Sequence, residues 1–477
     1  MNYQTIKTMA AENGYRVADL LALAPKNDPF YTGRPAEITR AEWFAELWHQ
    51  FGYGTGVHLR RMHYQIVSQQ PRVRRADGQE YLNTDRDWEY LNEASKWARY
   101  LNLVSPDAFV DRRNPDAKIF TNWTDPGGIF YEDPTPSYQV ASWFDPDVSL
   151  PALPALDDLP GIDLDPHLIP AGYESIEQPI HLEIWVEKTT MNDVLEPLCR
   201  KYHVNLITGA GEMSITSVVD FLERVTAAAR PARILYISDY DPAGLGMPIS
   251  VARKIEYFVR NEGFDSLLDI RLEPIALTSA QVDEYNLPRV PVKSTDKRKA
   301  KFEQYHGKGQ VELDAMEALH PGTLARIVQE HISLYYDDTL YSRAMDVRSD
   351  LADTLDTETT DALQPYLPDK EAIEQAYENL VDDWREIQKQ FDDLTDPLYE
   401  QIEQIEGEFR KLLKTAITIH SEMVDALESV DLDATTAYPL PIANIEDPDG
   451  LLYQSKRPYE DQLYAYKSAR YNLQDGE

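Results

Sequence analysis

The chain has 477 residues, with 82 acidic against 46 basic side chains, a net charge of −36 and a pI near 4.6. That length supports two to four domains with cores of their own, and an apolar content of 43% makes most of the chain globular. The single cysteine, Cys199, excludes an intrachain disulfide and a cysteine-built zinc site, and the negative total excludes a protein that coats nucleic acid with its whole surface.

Residues 1–40 read as an N-terminal helical segment. They open on MNYQTIKTMAAENGYR, which lacks a basic-then-apolar signal pattern, and no apolar run in the chain approaches membrane length. The expectation is a cytoplasmic protein with no membrane contact. Residues 41–120 read as one compact helical domain. AEWFAELWHQFG carries apolar residues at helical spacing and stops at Gly52 and Gly54. GVHLRRMHYQIVSQ is a second amphipathic segment. Asn83-Thr84-Asp85 starts a longer helix with Trp88, Leu91, Ala94, Ala98 and Leu101 on one stripe. An extended piece, Pro106 to Asp111, follows as a candidate β-wing. Two helices, a longer helix and an extended piece suggest a winged helix. The basic cluster from His58 to Arg75 then becomes a candidate DNA contact through Arg60, Arg61, Arg72, Arg74 and Arg75. The plainer alternatives are core packing for the helices and a solvated face for the charges.

Residues 121–180 are rich in proline, aspartate and aromatics and read as an irregular connector, packed by Trp123, Phe130, Tyr131, Trp143 and Phe144. Base stacking is the alternative role for these rings. Residues 181–335 carry the chemistry. Ile184-Trp185-Val186 ends in Glu187-Lys188, and Ile234 to Ile237 ends in Ser238-Asp239-Tyr240-Asp241-Pro242-Ala243-Gly244. Short apolar runs of this kind are buried strands of a parallel sheet, and such sheets bind ligands beyond the carboxyl ends of their strands. Glu187, Asp239 and Asp241 are therefore expected in one crevice. Three carboxylates together call for a cation, and oxygen ligands suit Mg²⁺, with Mn²⁺ as a substitute. The alternatives are that Asp239 or Asp241 caps the next helix and that Glu187 pairs with Lys188 or a nearby arginine. Glu312 and Asp314 form a second acidic pair, read as capping residues with ligation as the alternative. The basic cluster Lys293 to Lys308 reads as a solvated face.

Residues 336–430 form an acidic helical region, with 22 acidic against 5 basic residues between Asp337 and Glu408. Apolar residues recur at alternating steps of three and four from Ile373 to Leu412, the pattern of a coiled-coil seam, broken by Thr395-Asp396-Pro397. Such a seam dimerises, docks a partner or packs back on the body. Residues 431–477 end in a helix. The chain has no Gly-x-x-x-x-Gly-Lys loop, so no ATPase domain is visible in it.

The strand-ending Glu187 followed by Asp239-x-Asp241-Pro242-x-Gly244 resembles the Toprim domain. The wording is closest to the A subunit of type IIB topoisomerase (topoisomerase VI) and the meiotic double-strand-break transesterase. The resemblance covers roughly residues 180 to 333, including Thr208-Gly209-Ala210-Gly211. Arg60-Arg61-Met62-His63-Tyr64 resembles the Arg-x-x-Tyr/Phe-Tyr motif of the same family, with His63 where an aromatic hydroxyl or Phe is usual. The resemblance implies an α/β multi-domain chain: a winged-helix domain, a Rossmann-like Toprim domain and a helical coiled-coil region. It implies Mg²⁺ on Glu187, Asp239 and Asp241, Tyr64 as the nucleophile that attacks a DNA phosphate, Arg60 beside it, Glu187 in the catalytic set and Lys188 on the DNA. It further implies double-stranded DNA as substrate, a homodimer, an ATPase B-type subunit in trans and a nucleoid location. Two readings stand beside it: a Toprim nuclease that uses metal-activated water, in phage or plasmid defence, and a non-catalytic DNA-binding scaffold. A buried core tyrosine is the alternative for Tyr64.

Overall fold

The computed structural model describes residues 2–110, 114–121, 135–148, 158–209, 211–261, 268–391, 398–449 and 452–471. Helices α1 (Tyr3–Asn13), α2 (Pro35–Gln50), α3 (Leu59–Ser68) and α4 (Asp85–Tyr100) come first, followed by strands β1 (Ser137–Ala141) and β2 (His167–Ala171). Strands and helices then alternate through β3 (His181–Val186), α5 (Asn192–Lys201), β4 (Asn205–Thr208), α6 (Ile215–Ala228), β5 (Ala232–Ile237), α7 (Met247–Asn261) and β6 (Ile270–Ala276). The shorter helices α8 (Ser279–Glu284), α9 (Lys299–His306), α10 (Leu313–Leu319) and α11 (Thr323–Ser333) lead into the long α12 (Leu340–Leu363), α13 (Leu367–Phe391) and α14 (Leu398–Glu428). The chain closes with α15 (Ala434–Ala437), β7 (Tyr453–Gln454) and α16 (Tyr459–Tyr471).

The protein is mixed α/β, as the strand-then-helix pattern requires. One five-stranded sheet has the order β4-β3-β5-β6-β7, parallel except for β7 at the edge. Every residue of β3 and β5 is buried, which is why both read as continuous apolar runs. Leu182, Ile184, Val186, Leu235 and Ile237 share one core with α5, α10 and α11. Trp185, Ile234 and Tyr236 share the other with α6, α7 and α16. The chain leaves β3 toward β4 on one side and leaves β5 toward β6 on the other. The two connections diverge, and a crevice opens between the carboxyl ends of β3 and β5.

Helices α2, α3 and α4 build a separate core around Phe44, Trp48, Met62, Leu91 and Phe109. Gly52, at φ +68°, takes the left-handed turn that stops α2, and the Thr84 hydroxyl caps α4 by accepting from the Asp87 N–H. Between α3 and α4 the chain makes a small hairpin, in which Tyr81 N–H donates to Val73 and Arg75 N–H to Gln79. The piece expected as a wing makes no hairpin of its own among the described residues. Val57 N–H donates to Ala108 and Val110 N–H to Val57, a parallel bridge that ties the start of α3 to the end of the helical core.

The described residues within 1–130, 178–338 and 444–477 form one compact unit, and those within 131–177 and 339–443 form another. Much of the expected connector thus belongs with the acidic helices, where β1 and β2 pair antiparallel. In this second unit Leu380, Trp384 and Ile387 of α13 meet Ile405 and Phe409 of α14, with Leu159 alongside. The heptad seam is filled by the chain itself. Thr395, Asp396 and Pro397 lie outside the described residues, as do Trp123, Phe130 and Tyr131. Phe144 packs on His420, while Trp143 is exposed. No helix among the described residues is long and apolar enough to cross a membrane.

Candidate functional site

Glu187 is the first residue beyond β3. Its N–H donates to the Ile237 carbonyl at 3.0 Å and its Oε2 accepts from the Asp239 N–H at 3.2 Å. After β5 the chain turns back sharply, and the Ser238 hydroxyl donates to the Gly244 carbonyl at 3.0 Å. A β-carbon at Gly244 would overlap the Asp239 carbonyl, so only glycine fits there. Asp241 Oδ1 accepts from the N–H groups of Ala243 and Gly244, at 2.7 and 2.6 Å. Asp241 therefore pins the turn that precedes α7, which starts only at Met247, and its Oδ2 has no partner among the described residues. Asp239 Oδ1 accepts from the Leu313 N–H at 2.8 Å, and its Oδ2 lies 2.7 Å from Lys188 Nζ. The Gly209 N–H donates to the Val186 carbonyl at 2.7 Å, which brings the start of the Thr208-Gly209 segment to the same sheet edge.

Two further carboxylates join this edge. Tyr240 and Val311 exchange backbone hydrogen bonds of 2.9 and 3.0 Å, and the residues that follow Val311 swing onto Lys188. Glu312 lies 2.8 Å and Asp314 3.3 Å from Lys188 Nζ. Lys188, expected on DNA, instead clamps Asp239, Glu312 and Asp314. The reason is local charge: three anions within reach hold the ammonium above the ordinary lysine value even though burial opposes it.

Burial, then the negative charges of Asp239 and Asp241, push the Glu187 carboxyl up to about 7. Burial also raises Asp239, against the pull of Lys188. The side chains as they stand form no ready three-ligand cage among the described residues, because Lys188 draws Asp239 aside and the turn holds Asp241. The donor set nevertheless fits a hard divalent cation. The ligands are all oxygen, and Glu187 Oε1 and Asp241 Oδ2 carry no partner among the described residues. For Asp239 to ligate through Oδ2, Lys188 must let go.

Glu183 lies four residues before Glu187 but serves the fold. It is 0% exposed and bonds to His181, Trp185, Asn205 and Arg224.

On α3, Tyr64 is 61% exposed, so the core-tyrosine reading does not hold. Arg60 and Arg61 are exposed on the same helix, and Arg60 lies one turn before Tyr64. His63 points the other way. Its Nδ1 and Nε2 engage the Tyr81 hydroxyl at 2.6 Å and Asn83 at 3.0 Å, so both ring nitrogens are occupied by the helical core. Arg72 and Arg74 are exposed on the hairpin, with Arg72 3.3 Å from Glu80. Arg75 is a correction to the DNA-binding set. It is 5% exposed, paired to Asp77 at 2.7 Å and Asp87 at 2.9 Å, and stacked over Tyr90, so it stabilises the helical core instead of meeting a phosphate.

In the Lys293–Lys308 cluster, Lys293, Lys297, Arg298 and Lys301 are exposed, as a solvated face requires. Lys297, Arg298 and Lys301 line a cavity against the loop that follows Asp241. Their sequence distance from Asp241 hides this, and the cluster alone gives no sign of a cavity. No protein-family model and no curated protein matches the chain.

Proposed function

We propose that the chain is a divalent-metal-dependent enzyme of Toprim type that acts on the phosphodiester backbone of double-stranded DNA. The observation that supports this is the convergence of Glu187, Asp239 and Asp241 at the crevice between adjacent parallel strands, where burial and then the charges of Asp239 and Asp241 raise the Glu187 carboxyl to about 7. Glu187, Asp239 and Asp241 would hold the ion, which offsets charge on the phosphate as it is attacked. Lys188, released from Asp239, would meet a phosphate oxygen only on leaving Glu312 and Asp314 as well.

Tyr64 is the nucleophile in this reading, and Arg60, one helical turn away, draws the phosphate toward it. The Tyr64 oxygen forms a bond to phosphorus as its proton passes to solvent. The bond from phosphorus to the deoxyribose oxygen breaks, and that oxygen leaves with a proton. The protein stays linked to the DNA end. The helical unit with its hairpin corresponds to the winged-helix domain. A homodimer pairs one protomer's Tyr64 with its partner's acidic cluster, and an ATPase subunit supplies any strand passage. A second reading, hydrolysis by metal-activated water, draws on a separate observation: Glu187, Asp239 and Asp241 all lie on the sheet edge, whereas Tyr64 is an exposed residue of α3, a helix that packs in another core.

The test is plasmid DNA incubated with the protein and Mg²⁺ or Mn²⁺, half of it treated with protease before electrophoresis. Cut ends that enter the gel only after protease support Tyr64 attack. Cut ends that need no protease support hydrolysis. Intact plasmid with both metals, and with a nicked or bent duplex, rejects both.

A further inference from the structure

A cavity of about 460 Å³ lies between the loop after Asp241 and α9, with Pro242 and Ala243 on one wall. Lys297, Arg298, Lys301 and Arg470 surround it, in a chain where acidic residues outnumber basic ones by 82 to 46. The carboxylate that reaches it, Glu212, already accepts from Ser250 at 2.6 Å and from Lys254 at 3.0 Å. Arg298 holds Asp296 at 2.8 Å, and Lys297 makes no ion pair among the described residues. The cavity therefore carries uncompensated positive charge.

Its remaining walls are largely apolar, with Leu23, Ala24, Leu245 and Met247 beside two aromatic rings. Lys301 donates to the Tyr471 hydroxyl at 2.6 Å and lies 3.9 Å from the ring centre, and Phe302 lines the same space. Burial pushes the Tyr471 phenol up, but Lys301 and Arg470 more than reverse this. A small inorganic anion would leave the apolar wall unused, and an apolar ligand would leave the cations unneutralised. A planar base joined to a phosphate uses both.

We infer that this cavity binds a nucleoside 5′-phosphate, its phosphate on Lys297 and Lys301 and its base against Tyr471 and Phe302. The group comes either as a free nucleotide or as the last nucleotide of a DNA strand. The second source rests on the proposed DNA chemistry of the neighbouring acidic cluster, and the binding itself does not.

The experiment titrates the full chain in EDTA, so the cavity is read apart from any metal site. The probes are deoxyadenosine 5′-monophosphate, by calorimetry, and an eight-nucleotide single strand with or without a 5′-phosphate, by fluorescence anisotropy. The variants are Lys297→Gln/Lys301→Gln and the charge-keeping Lys297→Arg/Lys301→Arg. Both positions are exposed, and thermal melting checks that the fold survives. Mononucleotide binding that falls tenfold or more in the glutamine pair and returns in the arginine pair supports a free nucleotide. Preference for the phosphorylated strand, with the same loss and rescue and no mononucleotide binding, supports a strand end. No binding by any probe, equal binding of the two strands without the mononucleotide, binding that the glutamine pair retains, or inorganic phosphate competing as well as the mononucleotide each overturns the inference. A silent cleavage assay with intact nucleotide binding would reject the proposed function alone.

Discussion

The backbone N–H of Asp239 donates to Glu187 Oε2 at 3.2 Å, across the ends of two adjacent parallel strands. This bond fixes the spacing of the acidic cluster and takes one oxygen of Glu187 out of play. The other oxygen faces the field of Asp239 and Asp241, which helps keep the carboxyl protonated up to about 7.

Glu187→Gln should therefore stabilise the metal-free protein at high pH. The native carboxyl keeps its proton until about 7, while the unfolded one releases it near 4.5. Between those values the native state binds more protons, so stability falls as pH rises and the penalty is complete above 7. Glutamine removes it, with a gain on the order of 1–3 kcal/mol at pH 8 and little at pH 4.5. Urea unfolding in EDTA at the two pH values measures this. A gain of equal size at both would refute the charge origin.

Lys188 competes with a cation for Asp239 Oδ2, at 2.7 Å. Lys188→Met should bind Mn²⁺ about tenfold more tightly than wild type by calorimetry, since a loss of about 1.4 kcal/mol of competition corresponds to that factor. Its metal-free form should melt lower, because Asp239, Glu312 and Asp314 lose their common counter-charge. Weaker Mn²⁺ binding would mean that Lys188 organises the site instead of blocking it.

Glu183 should behave oppositely to Glu187. Burial works against its charge, but Arg224 and then His181 hold its carboxyl well below the usual range. Its contribution is present above about pH 4.5 and lost as pH falls. Glu183→Ala strands Arg224 and His181 in the core and should cost about 3–5 kcal/mol at pH 7. A loss of about 1 kcal/mol or less by urea unfolding at pH 7 would reject that role.

Glu187, Asp239 and Asp241 were legible because parallel strands bury both faces, so apolar runs mark where the sheet ends. The division of labour between Glu183 and Glu187 was not legible. It depends on Arg224, which reaches β3 from α6. Glu312 and Asp314 reach the site through the Tyr240–Val311 pairing, and Arg75 is held in the core by Asp87 and Tyr90 of α4 together with Asp77. The heptad pattern from Ile373 to Leu412 showed an apolar seam but not what fills it, since an intrachain hairpin and a dimer present the same spacing.

Within the 13 residues from His63 to Arg75, His63 and Arg75 are buried in the helical unit while Tyr64 is exposed. Tyr64 is 61% exposed, so Tyr64→Phe should change stability by less than about 0.5 kcal/mol. It should also abolish any protease-dependent DNA product. His63→Ala leaves Tyr81 and Asn83 without partners in the core and should cost about 2–3 kcal/mol. Arg75→Ala strands the buried Asp87 and should cost about 3–5 kcal/mol. Arg60→Ala should leave the melting temperature alone and lower the salt slope of DNA binding by about one. Urea melts, paired with DNA titrations at several salt concentrations, test the set. A Tyr64→Phe protein that still forms the adduct would move the nucleophile elsewhere, and an Arg60→Ala protein with an unchanged slope would remove α3 from the DNA contact.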